Sequence, residues 1–360
     1  MTVVADLHEE YGVAFTTRGD RRIAAHYGRP ERVHRALRNV VGTIEMGYGI
    51  VEVIGEDRVD FVDNAVSNRV PDTDGQGVYA LLLDPQGRIE TELYVYNAGE
   101  RLLCFVPPGS AEDLADDWSE KTFIQDVTVR VATDDFGVFG VHGPKATEKI
   151  ASVLTGPGSP DKALSFVRGT IGDWGATVVR TDDLTGEEGY EVICAAEDAS
   201  NVFDALVNHG LNAAPFGYRT LDYLTLEAGT PLFETEMAGQ VPNVLGLRNA
   251  LDFEKGCYVG QEVVSKIENR GQPSRQIVGL RPEDIPDSGS AVFDGDDHVG
   301  EVTRADHSPA LEAPIAMALV EYGLETEEAT VRIDGQEVPA EVVDLPFVEG
   351  SAESRRLPQY

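Results

Sequence analysis

The stretch Lys255-Gly256-Cys257-Tyr258-Val259-Gly260-Gln261-Glu262 places a thiol, an ammonium group, two glycines and a carboxylate within eight positions of the chain. A cysteine acts as a nucleophile in its thiolate form, which a neighbouring cation such as Lys255 favours, while glycine lets the backbone approach a bound partner. The chain has only six lysines against 23 arginines, so a lysine beside the one cysteine of this segment indicates function. The alternative is a small buried cysteine in a turn, because free cysteines are among the most buried residues.

The acidic composition is the strongest global feature of the sequence. Asp and Glu number 63 against 29 Lys and Arg, which gives a formal net charge of -34, yet 42% of the residues are hydrophobic. Because the acid is spread along the chain rather than gathered in a tail, it indicates a folded protein coated with carboxylates. We interpret the coat as the adaptation of a halophile to a salt-rich cytoplasm, where the Debye length falls to about 3 Å at 1 M salt. No nucleic-acid partner is expected, because phosphate binding requires a basic face.

Length and cysteine content limit the remaining classes of protein. A chain of 360 residues is long enough for two or three domains. Its three cysteines, Cys104, Cys194 and Cys257, are too few and too scattered for a disulfide framework or a zinc site, so no metal site is expected. The first ten residues do not resemble a signal sequence, and no apolar run approaches the roughly 20 residues of a membrane span. We therefore expect a cytoplasmic protein without a membrane partner.

Strands and helices intermix along the chain without a strict βαβ period, which favours an α+β fold. Helices are predicted over 29–37, 57–65 and 145–154, and strands over 50–54, 78–83, 93–96 and 136–141. The turn Asp84-Pro85-Gln86-Gly87 predicts a hairpin between two of these strands. From Ile277 onward, short strands separated by Gly, Asp and Pro predict a small β-barrel or sandwich, and residues 269–273 are the predicted linker.

Several further segments occur in the order in which one known family has them. They are Gly140–Ala146 (GVHGPKA), Leu184–Glu191 (LTGEEGYE), Leu226–Leu232 (LEAGTPL) and Gly300–Thr303 (GEVT). In this order they resemble the folate-binding superfamily of the glycine-cleavage T protein and its YgfZ-type relatives, over roughly residues 30 to 350. The resemblance implies an α+β fold of three domains, arranged as a cloverleaf around a central folate cleft, with a C-terminal β-barrel. It assigns residues 1–50 and 136–255 to a discontinuous folate-binding domain, 51–135 to a second α+β domain and 275–350 to the barrel.

The segment from Lys255 to Glu262 is similar to the signature of the YgfZ branch. That branch implies a tetrahydrofolate-binding accessory factor in the assembly or repair of iron-sulfur enzymes, with iron-sulfur proteins as partners. The alternative is an aminomethyltransferase of the T-protein type, or another folate-dependent one-carbon transferase, which takes its one-carbon unit from a lipoyl carrier protein. Both imply tetrahydrofolate or a one-carbon-substituted reduced folate as ligand, and the sequence leaves open which of these is bound.

The resemblance also implies a set of site residues. Glu187 is predicted as the pterin anchor, because a carboxylate can accept the two parallel donors on the 2-amino-pyrimidinone edge of a pterin. Further folate-binding residues are predicted at Tyr79, Asn68, Tyr190, Arg219 and Gln261. The predicted catalytic residues are Cys257, Glu92 and Lys255.

Glu92 departs from the family pattern. T proteins place an adjacent pair of aspartates here, one of which faces the reacting folate nitrogen, whereas this chain reads Glu90-Thr91-Glu92. The extra methylene of Glu92 moves its carboxylate by about 1.5 Å, and misplacement by about 1 Å can cost on the order of 100-fold in rate. The family's folate-binding arginine is replaced by Leu221, and Arg219 lies half a turn away.

The acidic coat leads to the first testable prediction. Raising KCl from low to molar concentration should increase the free energy of unfolding strongly, because salt screens repulsion between the surface carboxylates. Denaturant unfolding at both salt concentrations measures this, with a near-neutral protein of similar size as the control. Stability that does not depend on salt would contradict the halophilic interpretation.

Overall fold

The computed structural model describes residues 2–360, except for the side chain of Arg270. Its helices are α1 (Ala5–Glu10), α2 (Pro30–Asn39), α3 (Arg58–Ala65), α4 (Ala111–Glu120), α5 (Ala146–Val153), α6 (Ala199–Asn208), α7 (Tyr218–Glu227) and α8 (Gln261–Arg270). None of the helices described is both long and apolar enough to cross a membrane.

The strands are β1 (Ala14–Arg18), β2 (Arg21–His26), β3 (Gly42–Glu45), β4 (Gly49–Ile54), β5 (Gln76–Leu83), β6 (Ile89–Asn97), β7 (Arg101–Val106), β8 (Thr128–Val131), β9 (Phe136–His142), β10 (Leu154–Thr155), β11 (Phe166–Ile171), β12 (Trp174–Arg180), β13 (Gly189–Ala195), β14 (Ala214–Pro215), β15 (Arg275–Pro282), β16 (Ala291–Asp294), β17 (Asp297–Ser308), β18 (Ala313–Glu321), β19 (Glu328–Ile333) and β20 (Gln336–Val343). They form an N-terminal hairpin of β1 and β2, a seven-stranded sheet, a five-stranded sheet and a closed barrel.

The two large sheets are mainly antiparallel. The seven-stranded sheet has the order β10-β11-β12-β13-β9-β3-β14, and only its edge pair β3 and β14 is parallel. The five-stranded sheet has the order β5-β6-β7-β4-β8, and its β5-β6 hairpin turns at residues 84–87 as predicted. The barrel closes in the order β15-β18-β17-β16-β19-β20. The predicted α+β fold with a C-terminal β-barrel is therefore confirmed.

Alternation along the strands separates the outer cores from a shared central core. On β6, Leu93 and Val95 pack toward helices α3 and α4, whereas Tyr94 and Tyr96 point toward the junction of the sheets. On β13, Val192 packs with α5 and α6, and its neighbours have the opposite orientation. Because successive side chains of a strand point to opposite faces, each strand contributes to both cores. A cavity lies where the inner faces meet.

The segment before α8 joins the C-terminal half of the chain to the five-stranded sheet. Gly260 has a φ of +80°, and a Cβ there would lie 2.7 Å from the carbonyl oxygen of Asp84 in the β5-β6 turn. Only glycine accepts both the left-handed backbone and the close approach. The predicted linker 269–273 is displaced, because α8 continues to residue 270 and the connection to the barrel spans residues 271–274.

A buried carboxylate joins the barrel to the helices of the seven-stranded sheet. Glu227 at the end of α7 is fully buried and accepts hydrogen bonds from His34 and Arg38 at 2.7 Å each. Its other oxygen accepts from the hydroxyl of Ser308 at 2.6 Å and from the backbone of Ala310 at 3.1 Å, both on the barrel side. Burial alone would raise the pKa of Glu227, but these partners outweigh burial and lower it to about 2.

The second prediction follows from the position of Glu227. A carboxylate with a depressed pKa stabilises the fold above its unfolded value, near 4.5, and this contribution is lost as the pH falls toward 2. Glu227→Gln should lower the free energy of unfolding at pH 7 by about 3 kcal/mol, because it removes the negative charge that pairs with the nearly buried Arg38. The difference between variant and wild type should shrink between pH 4.5 and 2.

Denaturant unfolding at both pH values measures the effect. Exposed Glu349→Gln is the matched control and should behave like the wild type. A pH-independent difference for Glu227→Gln would show that lost packing, and not charge, causes the destabilisation.

Candidate active site at the central cavity

A cavity of about 310 Å³ lies where the N-terminal hairpin, the two sheets, α7 and the barrel meet. Its walls include apolar and charged side chains from distant parts of the chain, namely Arg18, Met46, Tyr48, Glu92, Pro107, Pro108, Leu184, Tyr218, Arg219, Leu221, Asp222, Leu232, Phe233, Glu234, Thr235, Arg304, Ala305, Asp306 and Arg356. This size falls at the lower end of small-molecule sites, and such sites commonly combine an apolar wall with a few fixed polar groups. The cavity is therefore the candidate functional site.

The two carboxylate oxygens of Glu92 differ in their hydrogen bonding. Its Oε2 accepts a hydrogen bond from the Tyr79 hydroxyl at 2.6 Å and one from Arg356 at 2.7 Å. Its Oε1 has no hydrogen-bond donor among residues 2–360, although the residue is only partly exposed. Cross-strand register explains the first contact, because Glu92 on β6 pairs with Leu81 of β5, two residues from Tyr79. The carboxylate is thus oriented, with one oxygen left for a ligand.

Arg356 comes from the C-terminal segment that follows the barrel. Its Nε donates to Asp182 at 2.8 Å, its Nη1 to Glu92, and its Nη2 to the hydroxyl of Tyr94. The guanidinium also lies 4.3 Å from the ring centroid of Tyr79. Burial alone would lower the pKa of Arg356, but the two carboxylates and the tyrosines hold it well above its ordinary value. Arg356 is therefore a permanent buried cation beside Glu92.

A second carboxylate lies behind the cavity wall. Glu191 on β13 accepts a hydrogen bond from the hydroxyl of Tyr48 at 2.7 Å through Oε1, while its buried Oε2 has no partner. Burial raises the pKa of Glu191 to about 7, and the Tyr48 hydrogen bond opposes that rise. Oδ1 of Asp182 is likewise buried without a partner. Buried acceptors are nearly always hydrogen-bonded, so these two oxygens, which lack a partner among the described residues, require a donor that a water or a ligand can supply.

Three of the predicted residues do line this cavity or contact its carboxylate. Glu92 and Arg219 are wall residues, and Tyr79 donates to Glu92. Burial raises the pKa of Tyr79 well above its ordinary value, so its hydroxyl remains a donor.

Glu187, the predicted pterin anchor, has a different environment. Its Oε1 accepts from Arg38 at 2.7 Å, and its Oε2 accepts from the backbone and the hydroxyl of Ser351. Both oxygens are occupied and the residue does not line the cavity, so its contact with a pterin stays a prediction. Glu187 links the C-terminal segment to α2, because it accepts hydrogen bonds from both Ser351 and Arg38.

Tyr190 is not among the residues that line the cavity, and its contact with a folate stays a prediction. It lies on the outer face of β13, within the core around α5 and α6, and its hydroxyl contacts Thr147 at 2.9 Å. Strand alternation explains this, because the next residue, Glu191, points to the opposite face.

Asn68 and Gln261 hold loops and do not line the cavity. The Asn68 amide donates to the carbonyls of Tyr79 and Asn249, at 2.9 Å each. Gln261 begins α8 and donates weakly to the carbonyl of Lys255 at 3.4 Å. Any contact between these side chains and a folate stays a prediction.

Lys255 and Cys257 have different environments, because one is buried and the other exposed. The buried Lys255 ammonium donates to the carbonyls of Asp63, Val66 and Asn68, at 2.5 to 2.9 Å, and so closes the C-terminal end of α3. Its three donors are used in these structural contacts, and the predicted action of Lys255 on the thiol stays a prediction. Cys257 is exposed in the loop before α8 and is not among the residues lining the central cavity.

The sequence interpretation missed Glu191, Arg356, Asp182, Tyr94 and Tyr48. For Glu191 a signal existed, since it ends the same LTGEEGYE segment and strand alternation separates it from Tyr190. For Arg356 no local signal exists, because 264 positions separate it from Glu92.

Comparisons with known proteins show the family to which the chain belongs. The family model for the GCVT N-terminal domain matches residues 4–255, and that for the glycine cleavage T-protein C-terminal barrel domain matches residues 275–349. The chain belongs to the glycine-cleavage T-protein superfamily. Its similarity to relatives within this superfamily extends over nearly the whole length of both chains.

Two relatives named aminomethyltransferase illustrate that similarity. The chain is 30% identical to the one from Corynebacterium aurimucosum, over 94% of this chain and 95% of the relative. It is 31% identical to the one from Streptomyces coelicolor, over 96% of each. Among solved structures, the glycine cleavage system aminomethyltransferase T from Bartonella henselae superposes with a TM-score of 0.85 at 24% identity. The superposition covers 97% of this chain and 98% of the Bartonella henselae chain, which supports the T-protein fold.

The third prediction concerns the ionisation of Glu191. A carboxyl with a raised pKa contributes stability below its unfolded value, near 4.5, and this is lost as the pH rises through 7. Glu191→Gln should therefore be more stable than the wild type at pH 8, by up to about 3 kcal/mol, and nearly equal to it at pH 4.5. Unfolding free energies across this pH range measure the effect.

Tyr48→Phe is the control for the direction in which the pKa of Glu191 shifts. Removing the hydroxyl takes away the hydrogen bond that favours the carboxylate, so the pKa of Glu191 should rise further. A wild-type stability curve that is flat from pH 4.5 to 8 would argue against this assignment.

Proposed function

We propose that the protein is a folate-dependent one-carbon transferase of the aminomethyltransferase type, with Glu92 as its catalytic carboxylate. The observation that carries the proposal is the geometry of Glu92. Two donors fix its Oε2, and its Oε1 has no donor in a cavity that could admit a small heterocycle. Relatives named aminomethyltransferase, similar over nearly the full chain, favour this function over the YgfZ interpretation.

The buried acceptors fit a reduced folate. The pyrimidinone edge of a pterin presents two parallel N–H donors, and Glu191 has one oxygen without a partner among the described residues and one that accepts from the hydroxyl of Tyr48. We infer that Glu191 takes the anchoring role that the family resemblance assigns to Glu187. The pterin would supply the donor that Oε2 lacks and take the place of Tyr48 on Oε1.

Glu92 would then move a proton. A bound reduced folate supplies the nucleophilic nitrogen that accepts the one-carbon unit. Arg356 and Tyr79 both donate to Oε2, so a proton released in the reaction is best accepted at Oε1, which has no donor. The same two contacts restrict rotation of the carboxylate, which reduces the entropy lost on reaching the reactive geometry. Glu92 has a longer side chain than the aspartate of the family pattern. Tyr79 and Arg356 hold its carboxylate in position by donating to Oε2.

The partner of the reaction would be a lipoyl carrier protein that brings the aminomethyl group, as the T-protein resemblance implies. The acidic surface of this chain, with a net charge of -34, would repel an acidic carrier at low salt. Turnover with such a carrier should therefore be assayed in concentrated salt.

A second candidate function is the folate-binding accessory factor of iron-sulfur enzymes. It is favoured by the exposure of Cys257 within the segment that resembles the YgfZ signature. In that function folate would bind at the central cavity without turnover, and the thiol would act on a partner protein. The two functions differ in whether Glu92 is needed for chemistry.

The fourth prediction tests the role of Glu92. Glu92→Gln should lower turnover of aminomethylated lipoyl carrier and tetrahydrofolate by about 100-fold or more, because the amide cannot accept the proton. Folate affinity, measured by titration, should change far less. Exposed Glu90→Gln, two residues earlier on β6, is the matched control and should retain wild-type turnover.

The outcomes separate the two functions. Full turnover by Glu92→Gln would remove the catalytic role. Folate binding without any turnover by the wild type would support the accessory factor. Failure of the wild type to bind reduced folate would reject both.

A further inference from the structure

A cleft separate from the central cavity opens between the β6-β7 turn and the inner face of the seven-stranded sheet. This lateral cleft has a volume of about 570 Å³, against about 310 Å³ for the central cavity, and no described residue lines both spaces. One wall consists of residues 98–101 around the turn, and the floor is formed by residues of β11, β12 and β13. Its volume is typical of small-molecule sites.

The register of the strands determines which side chains form the floor. Arg168 on β11 pairs with Thr177 on β12, which in turn pairs with Ile193 on β13. Directly paired residues point to the same face of a sheet, so these three side chains form one row. The next row runs from Phe166 to Glu191. The floor of the lateral cleft therefore ends beside the buried carboxylate of Glu191.

Two arginines line the lateral cleft, each beside a phenylalanine ring. The guanidinium carbon of Arg101 lies 5.6 Å from the ring centroid of Phe136, and that of Arg168 lies 5.1 Å from the ring centroid of Phe166. Both arginine side chains are about half exposed. Attraction between a guanidinium and a ring face restricts where the cation sits, so both charges are placed before any ligand arrives.

Both guanidinium groups have donors that the protein does not use. Arg101 donates to Glu52 through Nη1 at 2.7 Å, and its Nε and Nη2 donate no hydrogen bond among residues 2–360. Arg168 donates to Asp74 through Nη1 and Nη2, at 2.8 and 2.7 Å, so its Nε is unused. On a chain of charge -34, two such cations at one cleft are suited to an anion.

Two carboxylates also belong to the described residues that line the lateral cleft, Glu100 and Asp135. Asp135 accepts a hydrogen bond from Arg130 at 2.6 Å, so its charge is already paired. Glu100 is exposed in the β6-β7 turn, next to Arg101 in the sequence. Glu100 is therefore the carboxylate that would oppose a bound anion.

A buried tyrosine supplies a further donor. Tyr96 lines the lateral cleft and is only 2% exposed, and its hydroxyl has no hydrogen-bond partner among residues 2–360. Burial raises the pKa of Tyr96 well above its ordinary value, so the hydroxyl remains a donor. Its ring centroid lies 6.2 Å from that of Phe166. Because buried hydroxyls are nearly always hydrogen-bonded, this one requires a partner that a water or a ligand in the cleft can supply.

We propose that the lateral cleft binds a small aromatic carboxylate, with its ring on the apolar floor and its carboxylate between Arg101 and Arg168. Planar guanidinium donors match a carboxylate, and aromatic rings such as Phe166 and Tyr96 pack well against another ring. The Tyr96 hydroxyl donates to a polar substituent of the ligand. This inference does not depend on the proposed function, because no residue of the central cavity takes part.

The test compares a charged probe with an uncharged one of the same shape. 2-Naphthoate is titrated calorimetrically into the full-length protein, at a KCl concentration at which it is folded. The uncharged 2-naphthalenemethanol should bind about tenfold more weakly, a difference of about 1.4 kcal/mol that two partly exposed ion pairs supply. Acetate, which has the carboxylate without the ring, should show no measurable binding.

Three variants assign the binding to the lateral cleft. Arg101→Gln should weaken 2-naphthoate about fivefold and leave the alcohol unchanged, since only the ion pair is lost. The fold should persist, because Glu52 keeps Arg130 as a partner. Gly175→Leu should weaken both probes, because a Cβ at Gly175 meets no atom within 4 Å and the added side chain would occupy the cleft. Glu100→Gln should strengthen 2-naphthoate alone.

Two control variants remove arginines elsewhere. Arg332 on the barrel is the matched control, since it stacks on Phe293 at 4.6 Å and donates to Glu337 at 3.2 Å. Arg219 lines the central cavity. Arg332→Gln and Arg219→Gln should both bind 2-naphthoate as the wild type does.

Each outcome bears on the inference. It is overturned if the wild type fails to bind 2-naphthoate, binds both probes equally, or keeps its affinity in Arg101→Gln and Gly175→Leu. Loss of binding in Arg219→Gln, or displacement of the probe by tetrahydrofolate, would place the probe in the central cavity and overturn it as well. Failure of tetrahydrofolate to bind would reject the proposed function alone, because the cleft variants are judged with 2-naphthoate.

Discussion

The site depends on one buried cation. Arg356 can be removed from water only because Asp182, Glu92 and Tyr94 accept its hydrogen bonds. A buried ion pair adds little net stability in general, but removing one partner leaves an uncompensated charge and costs several kcal/mol. The cluster therefore acts mainly as a constraint on geometry. It holds the C-terminal segment, the inner face of the five-stranded sheet and the loop before β13 in one arrangement.

That constraint explains why the cavity needs the whole chain. Glu92 comes from the five-stranded sheet, Tyr218 from α7, Arg304 from the barrel and Arg356 from the segment after it. Glu227 and Glu187 reinforce the same assembly from outside the cavity, because Arg38 joins them and so ties the barrel and the C-terminal segment to α2. The cavity and the packing between the sheets and the barrel thus rely on the same type of contact. In each case a buried carboxylate accepts hydrogen bonds from residues that are distant in the sequence.

The segment from Lys255 to Glu262 makes mainly structural contacts. Lys255 closes the end of α3, and Gly260 permits contact between the loop before α8 and the β5-β6 turn. Its sequence is unusual because these two structural requirements fall within six residues. Cys257 has no structural requirement visible in its contacts, since it is exposed and is a free cysteine. The role of its thiol stays with the second candidate function.

Sequence by itself determined the elements, the barrel and the family, because these depend on local periodicity, turn chemistry and ordered motifs. It also identified Glu92, Tyr79 and Arg219, since each lies in a segment whose pattern is informative over a few residues. It selected Glu187 and overlooked Glu191, because the direction in which each side chain points depends on where β13 begins and which face of it turns inward. It gave no sign of Arg356, because the contacts of this residue join segments far apart in the chain. Only tertiary structure decides such contacts, since the free energy of burying a charge depends on partners that no local pattern specifies.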